Sequence, residues 1–335
     1  MFEGMKAGLV KFFPRLRSNT TLRRLINSTR VVAGIKRISK YRAINDCTIF
    51  DFCKLSEEMP LYTTEYFNQN TFFGNHLAIK RFAGIPRYCP VRGYIEHGLY
   101  FRHDIIRQDD ETNGFRTNFT FSEYRKQRLM AAGIPAEKII IVGPYILHVD
   151  SSMSQNEIES LHSSFGKTLA VFPAHSHEAM RIDFDHDAFQ LEIEKVRLAH
   201  GFHKVLICLF FVDIQKGRYK PYEERGYTVV TAGHRHDERF LSRLKTIILL
   251  SDVTMSNGLG THLGYCVALD RPHYFFRQET ASSEPDGKVI DLVCFDEVKS
   301  KYLKEEWDVV RHFINYSETI TPEQLEVVHK YWGPF

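Results

Sequence analysis

The stretch from Lys167 to Phe276 constrains the fold more than any other part of the chain, because strand-like and helix-like segments alternate through it. KTLAVFPAHS (Lys167–Ser176) is an apolar run ending in polar residues; DAFQLEIEKVRLAHGF follows with helical spacing and a glycine stop; KVLICLFFVDI (Lys204–Ile214) is strand-like again. YTVVTAGH (Tyr227–His234) predicts a further strand, DERFLSRLKTIILLSD a helix, VTMSN a short strand, and THLGYCVALDRP a helix leading into HYFF. Strands that alternate with helices form a parallel sheet covered on both faces. The fold class is therefore α/β.

Ligands of such sheets lie beyond the carboxyl ends of the strands. Polar residues collect at those ends: His175 and Ser176 after the first strand, Asp213 after the second, His234 and Arg235 after the third, and Ser256 to Thr261 after the fourth. The last group reads Ser-Asn-Gly-Leu-Gly-Thr and stands where a strand hands over to a helix. A helix start carries unpaired N–H groups and a positive dipole end, and glycines let an anion approach the backbone. Ser256, Asn257, Gly258, Gly260 and Thr261 are thus candidate phosphate-binding residues; a plain capped turn would use the same residue types.

The first half is less regular. TIFDFCKL, RGYIEHGLYF, TNFTFSEY and EKIIIVGPYIL read as strands, with helices near NHLAIKRFAGI and SEYRKQRLMAAGI, the latter Ser-capped and stopped by Gly-Ile-Pro. HVDSSMSQNEIESLHSSFG reads as a linker, which puts a domain boundary near residues 150–166. In FFGNHLAIKRFAGIP, Asn75 and His76 open a helix; they either line a cleft or cap and pack that helix.

At 335 residues, 43% hydrophobic and 25% charged, the chain suits a folded protein of two domains. No apolar run reaches the roughly 18 to 20 residues that span a bilayer, and no signal-peptide pattern opens the chain, so a cytoplasmic location is expected. Six cysteines with no C-x-x-C pair suit reduced thiols rather than a zinc site. Net charge is only +3, yet residues 1–43 carry eleven Lys and Arg against Glu3 alone. Their apolar interleaving suits peripheral contact with an anionic membrane surface at the inner face, or a solvated basic helix. No nucleic-acid reader motif accompanies the charge, so no nucleic-acid partner is expected.

Two αβ halves, the series Ser-Glu-Tyr, Ala-Gly-Ile-Pro and Val-Gly-Pro-Tyr, the Ser256–Thr261 helix start and the pair His97-Gly98 together resemble the GT-B glycosyltransferases of bacterial surface polysaccharides, of the capsule, O-antigen and teichoic-acid type. The resemblance covers roughly residues 65 to 280. It implies two Rossmann-like domains facing a central cleft: an acceptor-side domain (44–155) after the basic segment (1–43), a nucleotide-sugar-binding domain (165–315), and a C-terminal helix (319–335) returning to the first domain. The glutamate that follows the glycines in many retaining members is absent here, where Gly-Leu-Gly-Thr-His-Leu-Gly-Tyr stands.

The implied activity is sugar transfer from a nucleotide-activated donor to a glycan or lipid-linked acceptor, with no cofactor beyond that substrate and no metal. A polyol-phosphate transferase, a sugar-nucleotide epimerase and a non-catalytic glycan-binding scaffold remain alternatives. Such transfer needs a base for the acceptor hydroxyl and groups that stabilise the departing phosphates. His97 is the candidate base, with Glu96 as a second base or as the group that orients the imidazole. Arg235, His234 and the Ser256–Thr261 turn are candidates for the donor phosphates. The D-x-D in Asp183-Phe184-Asp185 stands just before a helix, where carboxylates cap.

Overall fold

A computed structural model describes residues 34–61, 63, 65–101, 117–178, 180–284, 289–293 and 304–335. The chain forms two compact units, one ending at Asp46 and including Met59–Thr63, the other made of Cys47–Glu58 and Thr64–Phe335. In the smaller unit residues 34–43 are helical, and the buried Arg37 donates to the Pro60 carbonyl and the Tyr41 hydroxyl, each at 3.1 Å. Most of the basic segment lies outside the described residues. The larger unit holds two parallel sheets.

The first sheet contains β1 (Tyr94–Ile95), β2 (Asn118–Thr120) and β3 (Ile139–Ile141) in that order, with helix α1 (Asn75–Phe82) before it and α2 (Glu123–Ala131) between β2 and β3. Ser122 caps α2 by accepting from the Arg125 N–H at 3.2 Å. Its strands are shorter than the sequence runs suggest. TIFDFCKL is no strand: the Asp51 carboxylate accepts from the Thr48 N–H and hydroxyl, folding the run into a turn before a short helix at Phe52–Leu55. HVDSSMSQNEIESLHSSFG is not irregular along its length, for it contains α3 (Gln155–Phe165) behind a Ser154/Glu157 capping box.

The second sheet is the expected one. In chain order come β4 (Thr168–Phe172), β5 (Arg181–Phe184), α4 (His186–Ala199), β6 (Lys204–Cys208), β7 (Thr228–Val230), α5 (Phe240–Leu249), β8 (Val253–Ser256), α6 (Thr261–Ala268) and β9 (His273–Phe275). The parallel order is β7-β6-β4-β8-β9. Every residue of β4 is buried: Leu169 and Val171 pack with Phe189 and Ile193 of α4, and Ala170 and Phe172 with Ile247 of α5 and Leu263 of α6. Helices on both faces explain why these strands read as continuous apolar runs.

A third sheet, of three antiparallel strands, has no counterpart in the sequence reading. Strand β5 leaves the main sheet and pairs antiparallel with β10 (Thr280–Ser283), which pairs with β11 (Val289–Val293). Helices α7 (Lys304–Val310) and α8 (Pro322–Trp332) follow. The Trp332 ring occupies the space left by Gly264 in α6, where a Cβ would lie 2.3 Å from the indole, and its N–H donates to the Thr261 carbonyl at 2.9 Å. Tyr331 meets Tyr124 of α2 with centroids 4.7 Å apart. The last helix thus touches elements of both sheets. Among the described residues no helix is long and apolar enough to cross a membrane.

Candidate functional site

Strand β4 has β6 on one side and β8 on the other, so the chain winds outward in opposite directions from it. Ligands of such sheets lie at a switch point of this kind. Ser256 and Asn257 turn inward instead. The Ser256 hydroxyl pairs with His273 Nε2 at 2.8 Å, and Asn257 Oδ1 accepts from the Ala174 N–H at 2.7 Å; both residues are fully buried. They tie the two loops together. Gly258 allows the close approach, since a Cβ there would lie 2.9 Å from the Ala174 Cβ.

Gly260 and Thr261 do line a cavity of about 280 Å3. Gly260 is the N-cap of α6 and no side chain caps the helix, so its positive end is open. The Thr261 hydroxyl accepts from the Leu99 N–H at 3.0 Å, and a Cβ on Gly98 would sit 3.4 Å from that hydroxyl. The His97-Gly98-Leu99 loop following β1 therefore closes on the helix start following β8.

His97 lies on the same cavity wall. Asn75 pins it from α1, donating to the His97 carbonyl at 3.3 Å; the N-cap of α1 is Gly74, so Asn75 is not the cap its position suggests. The Tyr100 hydroxyl rests against the imidazole edge, 2.7 Å from Nε2 and 3.0 Å from Nδ1. Burial, and then the positive Arg235, lower the His97 pKa to about 4, so the ring is neutral near pH 7. Such a ring can take a proton, and becomes a stronger base once an anion offsets Arg235.

Glu96 is turned away from the cavity. Its carboxylate accepts from Arg125 at 2.7 Å and from the Thr120 hydroxyl at 2.5 Å, all within the buried first sheet. Its partner Arg125 stands 5.4 Å from the centre of the Tyr100 ring, whose hydroxyl touches the imidazole.

Arg235 pairs with Glu178 at 2.9 Å and lies over Phe72, whose ring is 5.8 Å from His97. His234 is buried beneath it, accepting from the His236 N–H at 3.1 Å. His76 is also buried, 3.9 Å from Glu238. None of Arg235, His234 and His76 is on the cavity wall. Ser176 is buried as well: its N–H donates to Asp213 at 3.1 Å and its hydroxyl accepts from the Ile182 N–H. That fixes the loop which presents His175 to the cavity. His175 is exposed to a cleft walled by aromatic rings such as Phe210, and desolvation in that cleft lowers its pKa to about 4.

In the D-x-D, Asp185 caps α4 by accepting from the Ala188 N–H at 2.9 Å, while Asp183 pairs with Arg181 and Arg218. Among the described residues no three His, Cys, Asp or Glu side chains are grouped as metal ligands.

Two contributors escaped sequence reasoning. His262, next to Thr261, stacks on Phe172 with centroids 5.1 Å apart and lines the cavity; burial lowers its pKa to about 3. Its place directly after the Gly-Thr pair was the available signal. Tyr100 gave none, because its role depends on how the loop folds back onto His97.

No family model and no curated protein sequence matches the chain. Among solved structures it is similar to the wall teichoic acid polymerase TagF, at 12% identity and a TM-score of 0.38 over 67% of this chain and 55% of that one. It is also similar to the UDP-GlcNAc 2-epimerase of Neisseria meningitidis bound to UDP-GlcNAc (16%, 0.35, 60% and 55%). A third likeness is to the UDP-GlcNAc 2-epimerase of Methanocaldococcus jannaschii (12%, 0.36, 68% and 72%). The chain spans 41% and 55% of two TagF structures.

Proposed function

We propose that the chain is a GT-B-type glycosyltransferase that moves a sugar from a nucleotide-activated donor to a bacterial surface glycan or lipid-linked acceptor. One observation carries the reading: the His97-Gly98 loop of the first sheet meets the uncapped Gly260-Thr261 helix start of the second across one cavity. A base candidate and an anion-binding helix end thereby share a space of ligand size. The resemblance of the same residues to that family supports the same assignment.

In this reading the donor diphosphate lies at the start of α6, with Arg235 exchanging Glu178 for phosphate. Both partners of that pair are partly exposed, so the exchange costs little. The acceptor hydroxyl attacks the anomeric carbon, the bond from that carbon to the phosphate oxygen breaks, the nucleoside diphosphate leaves, and His97 takes the hydroxyl proton. The sugar nucleotide is the substrate, and neither cofactor nor metal has a part. Asn75 holds the His97 backbone and Tyr100 the imidazole. The basic N-terminal segment serves peripheral contact with anionic membrane.

The test is thermal stability against UDP, GDP, dTDP, CMP and CDP, with and without divalent cation, followed by turnover of His97→Ala. One nucleotide should raise the midpoint independently of metal, and the variant should keep that shift while losing about 100-fold or more of transfer. Near-normal turnover in the variant removes His97 from the mechanism. Donor conversion without acceptor would identify an epimerase, and release of a nucleoside monophosphate a polyol-phosphate transferase. Glycan binding with no nucleotide response would leave the scaffold.

A further inference from the structure

The cavity is built for an anion yet has no resident counter-charge. Among the described residues that line it, none is Asp, Glu, Lys or Arg. The groups there that titrate nearest to neutral pH are three imidazoles, His97, His175 and His262. Cys208 and Tyr265 share the wall, but burial drives the thiol up to about 12 and the phenol higher still. A sugar nucleotide brings two phosphate charges, and an uncapped helix end supplies only partial charge against them.

His262 carries a second, independent mark. It is the second residue of α6, beside the open helix start, and its Nε2 is buried with no hydrogen-bond partner. A buried ring nitrogen left unpaired is costly, and a small shift of the ring that gave it a partner would recover that cost. His175 is its electrostatic neighbour within the cavity.

We propose that the cavity binds its anionic ligand together with one proton, shared by His175 and His262, so that an imidazolium formed on binding supplies the full positive charge that the cavity wall itself lacks. The inference rests on the nucleotide-sugar reading above and adds what the site does electrostatically.

The surroundings fit this behaviour. His175 has His177 beside it and Phe210 across from it; His262 has His175, the deeper His273 of β9 and the Phe172 ring. None of these is an anion, so nothing resident favours the charged ring. His97 across the cavity faces Tyr100, with Arg125 behind it, and Arg235, which opposes protonation. A phosphate charge about 4 Å away reverses the balance at an effective dielectric near 20, returning a depressed imidazole to the neutral range. Where the ring is neutral when empty and charged when filled, affinity must rise as pH falls.

The experiment is calorimetric titration of the full chain with UDP-glucose, UDP-GlcNAc, GDP-mannose and CDP-glycerol in two buffers of different ionisation enthalpy, at about pH 6 and about pH 8. These phosphodiesters do not titrate across that range, so any proton taken up resides on the protein. For the nucleotide that binds, uptake should approach one proton at the lower pH, with affinity falling by up to about tenfold per pH unit as pH rises through the bound-state titration. His262→Asn, or His175→Asn if the first does not fold, should abolish the uptake and flatten the pH dependence. His200→Asn, on a ring stacked against Tyr316 away from the cavity, should leave both intact. Binding without proton uptake and with equal affinity at both pH values overturns the proposal while leaving the nucleotide reading standing. A folded protein that binds no nucleotide at either pH overturns that reading, and this inference with it.

Discussion

The first sheet has strands of two or three residues and the second has strands of three to five, and they are held by different means. Around the first, buried ion pairs act as braces: Arg125 with Glu96 at 2.7 Å, and Lys80 with Glu65, whose other oxygen accepts from the Val91 N–H. Around the second, alternate residues of β4 enter two separate apolar cores, and the polar groups buried there are mainly hydroxyls, with the imidazole of His273 held neutral by burial. Even its buried pair, Arg243 with Asp237, sits on α5 and the loop after β7 rather than in a strand. The first sheet shares an apolar core with β4, through Ile95 and Phe119, and adds paired charge to it; breaking such a pair is costly because the remaining ion stays buried.

The sharpest way to break this contrast is to remove one brace. Glu96→Ala leaves Arg125 buried without its partner and should cost about 3–5 kcal/mol in chemical denaturation. Ile207→Ala in β6 creates a cavity instead and should cost about 2–5 kcal/mol. The contrast fails if Glu96→Ala costs less than about 1 kcal/mol, for then the braces are incidental.

Acid probes the second sheet. His273 of β9 is 1% exposed, pairs with the Thr254 and Ser256 hydroxyls at 2.8 Å, and burial holds its pKa well below 6.5. The folded form resists a proton that the unfolded chain accepts, so the stabilisation is complete above pH 6.5 and shrinks as pH falls below it. Between pH 6.5 and pH 5 the loss from this ring is about 2 kcal/mol. Denaturant midpoints for the wild type and His273→Asn should converge as pH is lowered; parallel curves would show that the imidazole is not buried neutral.

The same contrast explains what could be read in advance. Strands β4, β6 and β8 are covered on both faces, so each is an unbroken apolar run that only a buried strand or helix can use. In the first half, a run of equal hydrophobicity, TIFDFCKL, was diverted by one carboxylate closing a turn on Thr48. The capping box at Ser154 and Glu157 was legible, with Ile158, Leu161 and Phe165 at helical spacing behind it, but the polar residues between them suggested a linker. At the cavity, His175, Gly260 and Thr261, singled out by strand-end position, line one wall with His97, singled out by the resemblance of the His97-Gly98 pair. The inward turn of Ser256 and Asn257 was not legible, since a small polar residue serves a loop contact as well as a phosphate.

Thr261 joins the loop after β1 to the helix after β8 by a single hydrogen bond. Thr261→Ala deprives the half-buried Leu99 N–H of its acceptor and should cost about 1 kcal/mol. Thr261→Ser keeps the acceptor and should restore most of it. If the two variants are equally stable, the bond between Leu99 and Thr261 does not hold the cavity wall.

The smallest effect on stability separates architecture from function. Arg235 and Glu178 are 29% and 44% exposed, so Glu178→Ala should change stability by less than about 0.5 kcal/mol. Its functional effect has a definite sign. Without Glu178 the Arg235 charge is fully available to a phosphate, which should tighten nucleotide binding several-fold and make it more sensitive to salt. The uncompensated Arg235 also bears more strongly on His97, whose pKa it already lowers, so the empty site becomes still harder to protonate there. Tighter binding with unchanged stability would mean that Glu178 occupies Arg235 until a phosphate displaces it. Unchanged affinity would place Arg235 outside the ligand's reach and leave the imidazoles and the start of α6 as the anion's only partners among the residues proposed here.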